Sequence, residues 1–136
     1  MNVFTYGSLM FKDIWQDVTR ENNEQLAATI LGFSRVFIEG DVYPVLKPTS
    51  PTESLTGVMY TNVSHAAIKR LDVFEGEYYQ RIKAKVKLEN TTESHEAEVF
   101  VLKSKFQHLA SSRNWSPDVF VAEHKDHFVR NYCTDT

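Results

Sequence analysis

The chain has 136 residues, 42% of them hydrophobic and 24% charged, with a formal net charge of -3. That length suits one globular domain over residues 1–136, with enough apolar material for a real core. The negative balance argues against nucleic acid or an anionic membrane as partner, because both select a basic field.

A short buried strand is predicted over residues 2–6, where Val3, Phe4 and Tyr6 supply β-branched and aromatic content. Gly7-Ser8 then turns the chain into a short amphipathic helix, since Phe11, Ile14, Trp15 and Val18 fall at helical spacing. Residues 20–25 form a polar stop. From Ala27 to Glu39 the composition favours strand, with Gly32 at a bend or bulge. Tyr43-Pro44-Val45-Leu46-Lys47-Pro48 is apolar yet holds two prolines, so it is read as an edge strand or a packed extended loop. Residues 55–61 return to strand. Ser64 is the expected N-cap of a helix whose inner face is Ile68, Leu71 and Phe74.

The clearest strand runs from Tyr79 to Leu88, where Ile82, Ala84, Val86 and Leu88 alternate with Lys83, Lys85 and Lys87. The three lysines are thus a solvated strand face. A polar turn leads to a second strand over residues 96–103. The tail reads as helix, with Ser116-Pro117 as N-cap and first position, and Phe120, Phe128 and Tyr132 as its apolar face. Strands and helices in this irregular order fit an α+β domain on a largely antiparallel, partly closed sheet.

Cys133 is the single cysteine, so no intrachain disulfide is possible, and the N-terminus opens without a basic or apolar leader. With no stretch long enough to span a membrane, the expected location is the cytoplasm. His124 and His127 stand three residues apart, but no third ligand has supporting spacing, so no metal site is expected. No P-loop or dinucleotide fingerprint is present.

Two segments carry chemistry. In Tyr6-Gly7-Ser8-Leu9 a strand stops at a glycine, which admits close approach of a ligand, and amides freed in such a turn can converge on an oxygen. Ser8 lacks the Gly-x-Ser-x-Gly elbow of a nucleophile, so a capping or backbone role is the better reading. In Leu71-Asp72-Val73-Phe74-Glu75-Gly76, Glu75 stands between an apolar helix stripe and a helix-stopping glycine, with Tyr78 and Tyr79 following. Desolvation there would raise its pKa and make it a stronger base once ionised.

These segments, with Val42 to Pro48 and Gly57-Val58-Met59-Tyr60 between them, occur in an order that resembles the gamma-glutamylcyclotransferase-like family. The similarity is greatest to its plant branch, named after avirulence-induced genes, and extends through the Trp115 to Phe128 tail. The resemblance implies a small mixed, largely antiparallel β-barrel flanked by helices. It implies a cyclotransferase that turns a small γ-glutamyl amine or peptide into 5-oxoproline and a free amine, with no cofactor or metal. Glu75 would be the acid/base. Tyr6, Gly7, Ser8, Leu9 and Met10 would cradle the substrate, with Tyr79 as pocket wall or hydrogen-bond donor and Arg81 a lesser candidate. Two alternatives stay open: hydrolysis of the γ-glutamyl amide by water, and a non-catalytic binding module on the same scaffold.

Overall fold

The computed structural model describes residues 1–38, 44–89 and 91–115. The sequence readings for residues 116–136, including the tail helix, His124, His127 and Cys133, lie outside them. The elements are β1 (Val3–Thr5), α1 (Lys12–Thr19), β2 (Gln25–Leu31), β3 (Phe33–Ile38), β4 (Pro44–Pro48), β5 (Ser54–Tyr60), α2 (His65–Glu75), β6 (Tyr79–Leu88), β7 (Ser94–Leu102) and β8 (Ala110–Asn114). Two 3-10 segments, Ser8–Met10 and Ser104–Leu109, complete the set.

Five strands close a barrel in the order β1-β5-β2-β6-β7, and a separate three-stranded sheet has the order β4-β3-β8. All pairings are antiparallel except the junction of β1 with β7, where Val3 faces Glu98. This is the α+β barrel expected from the sequence.

The period of two in the strands divides the core into layers. Along β1, Val3 joins the layer under the helices, with Ile14, Trp15, Tyr60, Ile68 and Leu71. Its neighbour Phe4 points the other way, into the barrel with Ala28, Ile30, Met59, Val86 and Val99. The barrel lumen is therefore filled by side chains, as eight or fewer strands require. Trp15 and Tyr60 are fully buried and stack with ring centroids 3.7 Å apart. Burying each such large side chain contributes about 1.5–3 kcal/mol.

Two glycines meet different needs of the fold. At Gly57 a Cβ would stand 2.2 Å from the carbonyl oxygen of Thr5, so only glycine lets β1 lie so tightly on β5. Gly32 has φ +86 and separates β2 from β3, which belong to different sheets. The strand-favouring stretch from residue 27 is thus two strands, and its first begins earlier than expected, at Gln25. The proline-containing segment is the edge strand β4, as its missing N–H groups dictate. The 3-10 segment Ser104–Leu109 and β8 had no periodic signal in the sequence.

Candidate active site

β1 aims the chain out of the barrel at Tyr6, and Gly7 then starts the 3-10 turn Ser8–Met10. The carbonyl oxygens of five consecutive residues are held from behind. Arg35 Nη1 donates to the Tyr6 oxygen at 2.8 Å. The amides of Met10 and Phe11 donate to the oxygens of Gly7 (3.0 Å) and Ser8 (3.1 Å). The Tyr60 hydroxyl donates to the Leu9 oxygen at 2.8 Å, and Gln25 Nε2 reaches the Met10 oxygen at 3.1 Å. In a trans peptide the carbonyl of one residue and the N–H of the next point in opposite directions. Fixing these oxygens therefore turns the Gly7, Ser8 and Leu9 amides the other way. The Ser8 and Leu9 amides open the 3-10 turn, where a helix has no internal acceptor for them.

Gly7 itself has φ -130 and ψ -138, outside both the helical and the extended regions. Its requirement is steric: a Cβ would lie 2.5 Å from Pro44 Cγ. Pro44 is fixed in turn by the Tyr79 hydroxyl, which donates to its carbonyl oxygen at 2.8 Å.

The second half of the site is the end of α2. Ser64 caps the N-terminus, its hydroxyl accepting from the Ala67 amide at 3.1 Å and donating to the Glu21 carboxylate. Gly76, with φ +80, ends the helix. Three residues before Glu75, Asp72 pairs with Arg81 on β6 at 3.3 Å, and Arg81 also approaches Glu98 on β7 at 3.7 Å. Arg81 thus ties the helix end to two barrel strands and does not line the cavity.

The turn and the helix end meet around one cavity of about 280 Å³. Tyr6, Gly7, Ser8, Leu9, Glu75 and Tyr79 all line it, with Pro44, Phe74, Glu77, Tyr78 and Phe100 among the rest of its wall. Met10 does not line it; its side chain packs on the core layer beneath the helices. The residue Glu75 keeps partial exposure, but burial of its carboxyl pushes the pKa up to about 8. Burial raises the Tyr6 phenol well above its ordinary value, with Tyr79 and Glu75 adding to the shift. Tyr6 therefore stays neutral, and its hydroxyl donates to the Phe100 carbonyl. Among the described residues the lining contains no histidine, lysine or arginine. No cluster of three His, Cys, Asp or Glu side chains suited to a metal occurs among them either.

Both the sequence and the fold have counterparts among known proteins. The sequence profile of the gamma-glutamyl cyclotransferase, AIG2-like family matches residues 3–117. The chain belongs to that family. AIG2-like protein C of Arabidopsis thaliana is 30% identical over 104 residues, which is 76% of this chain and 60% of that protein. AIG2-like protein A of the same plant is 25% identical over 131 residues, covering 96% and 78%.

A solution structure of another Arabidopsis thaliana protein superposes with a TM-score of 0.72 at 25% identity, over 95% of this chain and 85% of that one. A yeast gamma-glutamyl cyclotransferase specific to glutathione shares the fold, with a TM-score of 0.64 at 16% identity over 84% and 73%. These neighbours show that the chain has the fold found in this family. The chain also has no helix, among the described residues, long and apolar enough to cross a membrane.

Arg35, Gln25, Tyr60 and Pro44 were not foreseen as parts of the site. Pro44 had a signal, a proline in an otherwise apolar strand. The other three act on the turn from distant strands; Tyr60 ends the Gly57-Val58-Met59-Tyr60 segment, but nothing local marks its hydroxyl for this contact, and nothing marks Arg35 or Gln25.

Proposed function

We propose that the protein is a γ-glutamyl cyclotransferase acting on a small γ-glutamyl amine or peptide, with Glu75 as general acid/base and the Gly7–Leu9 amides as the oxyanion cradle. One observation carries this reading: a carboxyl with its pKa raised to about 8 lines the same cavity as the turn whose carbonyls are pinned from behind.

The reaction follows from these parts. The ionised Glu75 takes a proton from the substrate's α-ammonium. The freed amine nitrogen attacks the γ-carbonyl carbon, and the carbonyl oxygen gains negative charge that the cradle amides stabilise. Glu75 then returns its proton to the leaving nitrogen as the old C–N bond breaks. The carboxylate takes the second proton that the ring nitrogen sheds and passes it to the released amine. The products are 5-oxoproline and the amine.

A base and acid near the working pH contributes about 10²–10⁴-fold, and a pKa of about 8 suits both roles in turn. Each cradle donor contributes about 3 kcal/mol in comparable acyl-transfer sites. Because the attack is internal, folding the substrate into a near-attack geometry supplies effective molarities on the order of 10⁵ M or more. The aromatic wall suits that task by excluding water and restricting the glutamyl chain. Neither a metal nor a cofactor enters any step.

Product analysis tests the reading. A panel of γ-glutamyl amines and peptides, each with its N-acetylated counterpart, is incubated with the protein. The free substrates are expected to yield 5-oxoproline. The acetylated ones are expected to yield nothing, because acetylation removes the attacking lone pair. Release of free glutamate, or equal cleavage of both forms, would mean that water attacks.

A further inference from the structure

The cradle is held by a cation that never reaches the cavity. Arg35 lies on β3, in the three-stranded sheet outside the barrel. Its Nη1 donates to the Tyr6 carbonyl oxygen at 2.8 Å, so the guanidinium sits on the peptide that carries the Gly7 amide. On its other side, the guanidinium carbon is 5.3 Å from the centroid of the Trp115 ring. The Trp115 amide donates to the Arg35 carbonyl at 3.2 Å, which fixes the strand that bears the arginine.

The group is half-buried, and burial lowers its pKa, but an arginine so placed still keeps its charge. Its Nε is buried with no hydrogen-bond partner, and no carboxylate pairs with it among the described residues. Holding a guanidinium in this way is unfavourable unless its charge is used.

We propose that Arg35 is a positioning residue for the reaction, acting through the Tyr6–Gly7 peptide; this rests on the cyclotransferase reading above. Two effects follow from one contact. The hydrogen bond locks the plane of the peptide, so that the Gly7 amide is aimed before substrate arrives. The positive charge at the carbonyl end also polarises that peptide, making its N–H a stronger donor to a developing oxyanion. Both effects grow with charge on the substrate oxygen, so they act on the transition state more than on the bound substrate.

Arg35→Met, Arg35→Gln and Arg35→Lys are compared with the wild type by steady-state kinetics, thermal unfolding and amide NMR of the full chain. Arg35→Met is expected to lower kcat on the order of 10- to 100-fold while KM moves less than about threefold. Arg35→Lys, which keeps the charge, is expected to recover most of the rate, and Arg35→Gln, which keeps a donor without charge, to fall between. If Arg35→Met destabilises the fold, the comparison of Arg35→Gln with Arg35→Lys at equal folded fraction still decides. A kcat within twofold of wild type in Arg35→Met or Arg35→Gln would overturn the proposal, as would an Arg35→Lys no better than the neutral variants.

The NMR arm needs no substrate. The Tyr6 carbonyl carbon and Gly7 amide nitrogen are expected to shift upfield in Arg35→Met and less so in Arg35→Lys. Unmoved resonances would remove Arg35 from the cradle even if the enzyme is active. A wild type that forms no 5-oxoproline, with resonances that do move, would instead sink the cyclotransferase reading and leave the contact standing.

Discussion

Glu75 is a stability cost kept for reactivity, and the pH dependence of that cost can be worked out. Unfolded, its carboxyl titrates near 4.3. Folded, burial pushes it up to about 8. Below about pH 4 both states hold the proton and nothing is lost. Between those values the folded state keeps a proton that the unfolded state has released, so stability falls as pH rises, levelling off above 8. Glu75→Gln removes the ionisation while keeping the shape. It is therefore expected to lose about 10²–10⁴-fold in turnover yet unfold at a higher temperature than wild type at pH 8–9. That advantage is expected to vanish near pH 4, a trend that thermal melts across pH would show.

Gly7 and Pro44 make a second test at the same scale. Gly7→Ala places a methyl 2.5 Å from Pro44 Cγ and 3.3 Å from its Cδ, but 3.8 Å from its Cβ. Pro44→Ala removes the two close atoms and leaves the tolerable one. Gly7→Ala alone is expected to reduce both activity and stability, the latter by about 1–3 kcal/mol. The double variant is expected to recover much of each loss, giving a favourable coupling in a double-mutant cycle. Ser8→Ala, which leaves the backbone amide in place, is expected to lose only modest activity.

Elements with strict periodicity were legible in the sequence. β6 was anticipated residue for residue because a buried face alternated with three lysines, and α2 because Ser64 and Gly76 punctuate it at both ends. The edge position of β4 followed from its prolines. By contrast, β8 has few apolar residues, and its pairing with β3 is a tertiary choice that overrides composition. The candidate site divides in the same way. Glu75 and the Tyr6–Leu9 turn were legible because each combines a glycine with a neighbouring apolar run. Arg35, Tyr60 and Gln25 were not, because each contributes one hydrogen bond across the fold from an otherwise unremarkable strand position.

The cap of α2 offers a prediction about an element as a whole. Burial would push the Glu21 carboxyl up, but hydrogen bonds from the Ser64 side chain and amide, and from Asn23, outweigh it and hold the pKa below the ordinary value. A depressed carboxylate stabilises the fold above its unfolded pKa, and that gain is lost as pH falls through the folded value. Ser64→Ala removes both the cap and this partner. It is expected to cost about 1 kcal/mol or somewhat more near neutral pH. In denaturant titrations the deficit is expected to shrink as pH falls through the lowered folded pKa of Glu21, where the wild type protonates that carboxylate as well.

At the scale of the molecule, the barrel and the second sheet serve one end. β1 delivers the glycine turn, β3 and β5 hold it from behind, and β6 and β7 anchor the helix that carries Glu75. Each half alone would be a common structural feature. Brought together, they enclose a cavity in which a carboxyl is desolvated without a basic partner among the described lining residues. The assembled fold thus makes Glu75 keep its proton at neutral pH, leaving about a tenth of the molecules ionised at pH 7 and most of them above pH 8. The most direct measurement is an NMR titration of the Glu75 side-chain carboxyl carbon, assigned by its absence in Glu75→Gln. A midpoint near 8 is the predicted result, and a midpoint near 4.5 would mean that the fold leaves Glu75 an ordinary carboxylate.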